Sequence, residues 1–125
     1  MRNGGSLILI VGLLLLAACK PLPTSRQTID PRAAERGRAV IDRLKCGACH
    51  TIAGIDWPRG TLGPSLVGFD RQGLLAGTVP NTPDKLAAFI RNAPAVKPGS
   101  AMPAMAMSEA EASDAASYLF AKGRK

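Results

Sequence analysis

The chain has 125 residues, a formal net charge of +7 and 4% aromatic residues. That length allows one small domain and excludes a multidomain enzyme. With so few aromatics, a core built from protein side chains alone would be modest. The 46% hydrophobic fraction is inflated by the N-terminus, where most of it is a single short run.

Arg2 precedes an apolar stretch from Leu7 to Leu16. About ten residues is well short of the ~20 that a bilayer-spanning helix needs, and matches the apolar region of a secretory signal. The run ends in Leu16-Ala17-Ala18-Cys19. This resembles the lipobox of bacterial lipoproteins, in which the cysteine is diacylated and becomes the new N-terminus. The plainer reading is a signal peptide cut near Ala18, which leaves Cys19 as a stray exposed thiol. Residues 1–18 are thus expected to be a signal peptide, and Cys19 the lipidation site that anchors the domain without a transmembrane helix. Removing them takes Arg2 away and lowers the formal charge by one. Residues 19–30, with Pro21, Pro23, Thr24, Ser25 and Gln27, read as a tether. Fully extended at ~3.3 Å per residue, its eleven residues after Cys19 would reach roughly 36 Å.

Residues 31–125 form the expected domain. Asp30-Pro31 opens a helix, with aspartate as cap and proline in the first turn. Ala33, Gly37, Val40, Ile41 and Leu44 share one stripe, and charged residues populate the other side. Gly37 costs about 1 kcal/mol relative to alanine in a helix, so a second helix crossing closely there is the natural reason for it. The helix delivers the chain into Cys46-Gly47-Ala48-Cys49-His50. Two cysteines three apart, followed at once by histidine, are the attachment signature of a c-type haem. Each sulfur adds to one vinyl group, the two small residues between let the backbone lie close, and His50 supplies the proximal iron ligand. Two other uses compete. A redox-active Cys46–Cys49 pair would need a βαβ setting, which the sequence lacks. Zinc would need a fourth ligand, and the chain has no second histidine and only Cys19 as a further cysteine.

From Thr51 to Pro64 the sequence reads as loop, punctuated by Gly54, Pro58, Gly60, Gly63 and Pro64. Trp57 either shields a haem edge, bonds a propionate, or simply covers core. Leu66 to Gly77 reads as a short helix and a turn, with Arg71 either paired to a propionate or solvated. Thr82-Pro83 opens a helix to about Asn92, with Leu86, Phe89 and Ile90 inward. Pro94 to Met107 reads as extended. Ser108-Glu109-Ala110-Glu111 is a capping box for a last helix to about Ala121, whose small residues suit close packing. Lys122, Arg124 and Lys125 follow it, where cations complement the helix dipole. There is no internal repeat and no sustained strand pattern.

His50 is the single histidine, so a second iron ligand must come from elsewhere. Met102, Met105 and Met107 all lie just before the last helix. A thioether opposite histidine raises the potential and closes the iron to oxygen, as an electron carrier requires. Prolines 98 and 103 fix the backbone around Met102, and together with the resemblance given below this makes it the first choice. Met105 is the runner-up, and Met107 or an open site remains.

These residues together resemble the class I c-type cytochromes: Gly37, the Cys46–His50 motif, Gly63-Pro64-Ser65-Leu66, Met102-Pro103 and Tyr118-Leu119, over about residues 31–122. Residues 60–66, 76–83 and 95–103 are similar in particular to the cytochrome c domain fused to subunit II of bacterial haem-copper oxidases. The copper-binding part of that subunit has no counterpart in this sequence. The resemblance implies an all-α fold of three to five short helices around one covalently bound haem c. It implies Cys46 and Cys49 as attachment points, His50 and Met102 as iron ligands, and the Pro64 carbonyl as acceptor from the far nitrogen of His50. It also has Gly37 and Tyr118 meeting where the first and last helices cross. The expected role is a membrane-tethered, monohaem electron carrier rather than an enzyme, on the periplasmic face of a bacterial envelope membrane. A terminal oxidase and a quinol-oxidising complex or dehydrogenase would be its partners, with no nucleic acid. A haem enzyme or gas sensor with an open distal site is the alternative.

Overall fold

The structure, a computed structural model, describes residues 28–122. The expected signal peptide, Cys19, most of the tether, Arg124 and Lys125 lie outside them. Helix α1 spans Pro31–Arg43. Asp30 caps it as expected, accepting from the Arg32 N–H at 2.9 Å. Its buried face is Ala34, Gly37, Val40 and Ile41, so Ala34 takes the inward place expected for Ala33. A 3-10 turn follows at Cys46–Ala48 and another at Phe69–Arg71. Strands β1 (Leu74–Leu75) and β2 (Val79–Pro80) pair antiparallel, with Leu75 opposite Val79. Helix α2 spans Pro83–Arg91, α3 is a single turn over Ala93–Val96, and α4 spans Glu109–Lys122. The fold is therefore all-α in class, with one very short hairpin.

Helices α1 and α4 form the principal contact, and α2 packs on α4. At the α1–α4 crossing, a Cβ on Gly37 would overlap the Asp114 carbonyl and crowd the Ala115 nitrogen. The glycine is bare because another backbone passes there. The backbone that comes nearest to it is that of Asp114 and Ala115. Tyr118 lies one turn further along α4, 2% exposed, and its hydroxyl donates to the Ala53 carbonyl at 2.9 Å. The crossing is flanked by a two-pronged Arg36–Asp114 pair at 2.8 Å and by Arg43–Glu111. Ile41, Ile52, Phe69, Leu75, Leu86, Leu119 and Phe120 continue the core between these helices and the loops.

Two stretches depart from expectation. In 66–77 only a short 3-10 turn develops: Gly68 at φ +70 interrupts any helix begun at Leu66, and Gln72, already extended, ends the turn after Arg71. Strands of two residues are too short for an alternating pattern to show. In 94–107 the chain is not extended throughout. The Asn92 side chain accepts from the Ala95 N–H at 3.2 Å and starts α3, with Pro94 in its first turn, where a missing N–H costs nothing.

Candidate haem-attachment site

Lys45, at φ +56, ends α1 sharply and turns the chain into Cys46. The Cys46 carbonyl then accepts from the N–H groups of Cys49 (3.2 Å) and His50 (3.0 Å), which brings both cysteines and the histidine onto one tight turn. The loop after it folds back over this turn. Gly60 N–H donates to the Gly47 carbonyl at 2.7 Å, and Gly63 N–H to the Cys49 carbonyl at 2.8 Å. Gly47 is buried, and a Cβ on it would press into the Pro58 carbonyl. Its smallness therefore serves the returning loop, while Ala48 is exposed.

The imidazole of His50 is fixed from two sides. Its Nδ1 lies 2.8 Å from the Pro64 carbonyl oxygen. A carbonyl only accepts, so Nδ1 carries a proton and Nε2 is the nitrogen left for a metal. Gly63 passes flat against the ring, and a Cβ there would overlap Cε1. An imidazole with Nδ1–H held by a carbonyl and Nε2 turned to other use is the arrangement of a metal-ligating histidine. Beside it, Leu62 is 90% exposed, an apolar side chain next to Gly63 that a flat macrocycle can cover. The Cys46 thiol is pushed up from its ordinary pKa, chiefly by burial. A redox-active dithiol wants the opposite shift. The residues present thus fit a c-type haem.

The other expected site residues fall as follows. Met102 and Met107 are half-buried against the core, and Met105 is half-buried with its N–H on the Arg91 carbonyl at 3.0 Å. Trp57 is 86% exposed, so it does not cover the core. It stands on the loop behind the attachment turn, over a shallow groove with Ile41, Lys45, Gly47 and Pro58. Arg71 folds back over Gly68. Three features had no part in the sequence reading. Gly63 is a ring support as well as a loop breaker. Asn81 donates from its amide to the carbonyls of Phe69 (2.8 Å) and Gln72 (2.9 Å), tying the second 3-10 turn to the hairpin. Lys97 reaches the Ala76 carbonyl. The run Gly77 to Asn81 between two apolar segments was the available signal for Asn81; nothing in the sequence marks Lys97.

Residues 32–119 match the family described as cytochrome c oxidase, cbb3-type, subunit III. The chain is also 34% identical over 88 residues to a protein named cytochrome c oxidase subunit 2 from Alkalihalophilus pseudofirmus. That match covers 69% of this chain and 25% of the relative, so the chain spans about a quarter of the relative's length. Fold, histidine setting and family match agree, and the chain belongs to the class I c-type cytochromes, which carry haem c bound covalently.

Proposed function

We propose that this protein is a membrane-tethered monohaem cytochrome that passes single electrons between a respiratory donor and an acceptor such as a haem-copper terminal oxidase. Cys46 and Cys49 hold the haem through thioether bonds, and His50 and Met102 ligate its iron. The bound group supplies a one-electron couple between Fe(II) and Fe(III). The protein's own work is positional. Pro64 fixes the tautomer and orientation of His50, and Gly63 keeps the ring from turning. Met102, on the segment framed by Pro98 and Pro103, excludes outside ligands with a soft, neutral sulfur. The observation that carries the reading is the His50 imidazole, held so that Nε2 alone is left to bind. With His50 and Met102 both given to the iron, the group would supply one-electron transfer rather than chemistry on a bound substrate.

Met102→Ala and Met105→Ala separate the ligand choices. The oxidised holoprotein should show the weak far-red sulfur-to-iron band, and Met102→Ala should lose it while Met105→Ala keeps it. The reverse outcome would move the ligand to Met105. Fast carbon monoxide binding by the untreated ferrous protein would instead favour an open-site enzyme or gas sensor.

The tether is supported by the short apolar run ending at Cys19, and no helix among the described residues is long and apolar enough to cross a membrane. The domain then sits on the periplasmic face of an envelope membrane, where a quinol-oxidising complex or dehydrogenase can reduce it. The relative's name, an oxidase subunit, supports an oxidase as acceptor. Exposed lysines and arginines would steer docking to an acidic partner in a salt-sensitive way. Cys19→Ser should release the protein from the membrane fraction; continued sedimentation with membranes would overturn the lipid anchor.

A further inference from the structure

Lys97 joins two parts of the molecule that are far apart in sequence. Its Nζ donates to the Ala76 carbonyl at 2.5 Å. Ala76 sits in the turn of the hairpin at φ +46, beside Gly77 at φ +77. Left-handed backbone is unfavourable for a residue with a Cβ, so this turn holds a shape that alanine does not favour. The turn is nonetheless firmly placed. Thr78 N–H bonds the Leu75 carbonyl at 3.0 Å, Leu75 is 2% exposed, and Asn81 N–H bonds the Gly73 carbonyl at 3.0 Å.

On the other side, Lys97 stands at the root of the arm that leads to Met102. Its N–H bonds the Ala93 carbonyl at 2.8 Å, its carbonyl accepts from Ser100 N–H at 3.1 Å, and Ser100 Oγ accepts from Met102 N–H at 3.3 Å. Hydrogen bonds therefore run from the Lys97 backbone carbonyl through Ser100 to the methionine backbone, and the Lys97 side chain ties the same residue to Ala76. The arm beyond Met102 is fastened differently, by the Asn92–Ala104 bridge and by Met105 N–H on the Arg91 carbonyl. One arm is moored to α2 and the other to the hairpin.

We infer that Lys97 is a positioning residue for Met102, its charge-assisted bond to Ala76 mooring the methionine arm to the hairpin so that the sulfur stays on the iron. This rests on the Met102 reading above. A solvated lysine would leave the arm equally closed without its ammonium. Lys97 is half-buried, and a bond from a charged donor is among the stronger kinds.

The test is imidazole binding to the oxidised holoprotein, followed by stopped flow, alongside the far-red band and the melting temperature. Imidazole enters only when the sulfur leaves. Lys97→Met keeps the apolar stem and removes the donor. It should bind imidazole roughly tenfold faster than the wild type, the scale set by losing a hydrogen bond to a charged group, and its far-red band should weaken on warming earlier than the wild type's. Should that chain mature poorly, Lys97→Gln, polar but shorter in reach, reads the same rate. A rate equal to the wild type's would overturn the inference, and so would a lower melting temperature with the rate and band unchanged. Those outcomes leave the Met102 reading standing. A wild-type holoprotein that lacks the band and binds imidazole or carbon monoxide at once would end both.

Discussion

The His50 ring is held by a backbone carbonyl on one nitrogen and a bare backbone against one face. Both supports come from Gly63-Pro64, thirteen and fourteen residues after His50, so histidine orientation is decided by how the returning loop closes. In Gly63→Ala the new methyl overlaps the imidazole, and either the ring or the loop has to move. Displacing the ring lengthens its bond to Pro64, which weakens His50 as a donor. A weaker donor stabilises the ferric iron less. Gly63→Ala holoprotein should therefore show a reduction potential shifted upward in a potentiometric titration, together with a lower yield of covalent haem. An unchanged potential would show that the loop yields instead. At this scale the sequence was legible wherever the chemistry is local. The Cys46–His50 spacing is a property of five adjacent residues, and Pro64 was available through the family resemblance. Lys97 was not legible, because a lysine moored to a carbonyl and a lysine in water look alike until the hairpin is placed beside it. Trp57 was undecided for a similar reason, since only the path of the loop turns it outward.

Helix ends were the most legible elements, because caps are written in adjacent residues. Asp30-Pro31 and Thr82-Pro83 open α1 and α2 where expected. Ser108 and Glu111 form their reciprocal pair at the start of α4, with Glu111 accepting from Ser108 N–H at 2.8 Å and Ser108 Oγ from Glu111 N–H at 3.2 Å. The hairpin and α3 were not legible, since two paired residues or one helical turn leave no period to read. The α1–α4 crossing tests the packing argument. In Gly37→Ala the added methyl meets the Asp114 carbonyl, a backbone atom that cannot rotate away. Overpacking typically costs 1–3 kcal/mol, against about 1 kcal/mol gained in helix propensity. The variant should be less stable by about 1 kcal/mol, the middle of the difference, and a domain of this size then melts several degrees lower. A melting temperature at or above the wild type's would show that the helices part without cost. The cap has its own pH signature. The Glu111 pKa is lowered, first by the Ser108 backbone N–H. A lowered folded pKa gives stability that is present above the unfolded value of about 4.3 and is lost as pH falls through the folded value. Glu111→Gln should accordingly flatten the acid limb of the melting-temperature profile below about pH 4. An acid limb as steep as the wild type's would assign that loss to other carboxylates.

Across the whole molecule, the helices and the loops depend on different sources of stability. Helices α1, α2 and α4 bury Val40, Ile41, Leu86, Ile90 and the small residues of α4 against one another. The stretch from Thr51 to Asn81 has little regular structure beyond a 3-10 turn and a two-residue hairpin, and it carries Trp57, Leu62, Val67 and Leu74 exposed. Few aromatics and a domain of this size leave the protein core marginal on its own. The covalent cofactor of the family is a large apolar body tied to the turn at Cys46–Cys49, against which those loops can pack. All-α architecture was legible because the caps and the haem motif pointed the same way; the loop paths were not, because the motif names the attachment point but not how irregular backbone closes beside it. The chain with Cys46→Ser and Cys49→Ser, produced without covalent haem, should then lose cooperative melting and be cut by protease first between residues 51 and 82. The α1–α4 pair, held by backbone contact at Gly37 and by Arg36–Asp114, should be the last part cleaved. Circular dichroism melting and mass spectrometry of the fragments read both effects. A haem-free chain that melts as sharply as the holoprotein, with 51–82 intact, would mean that side-chain packing alone holds the loops, and the cofactor would be a passenger in the fold rather than part of its core.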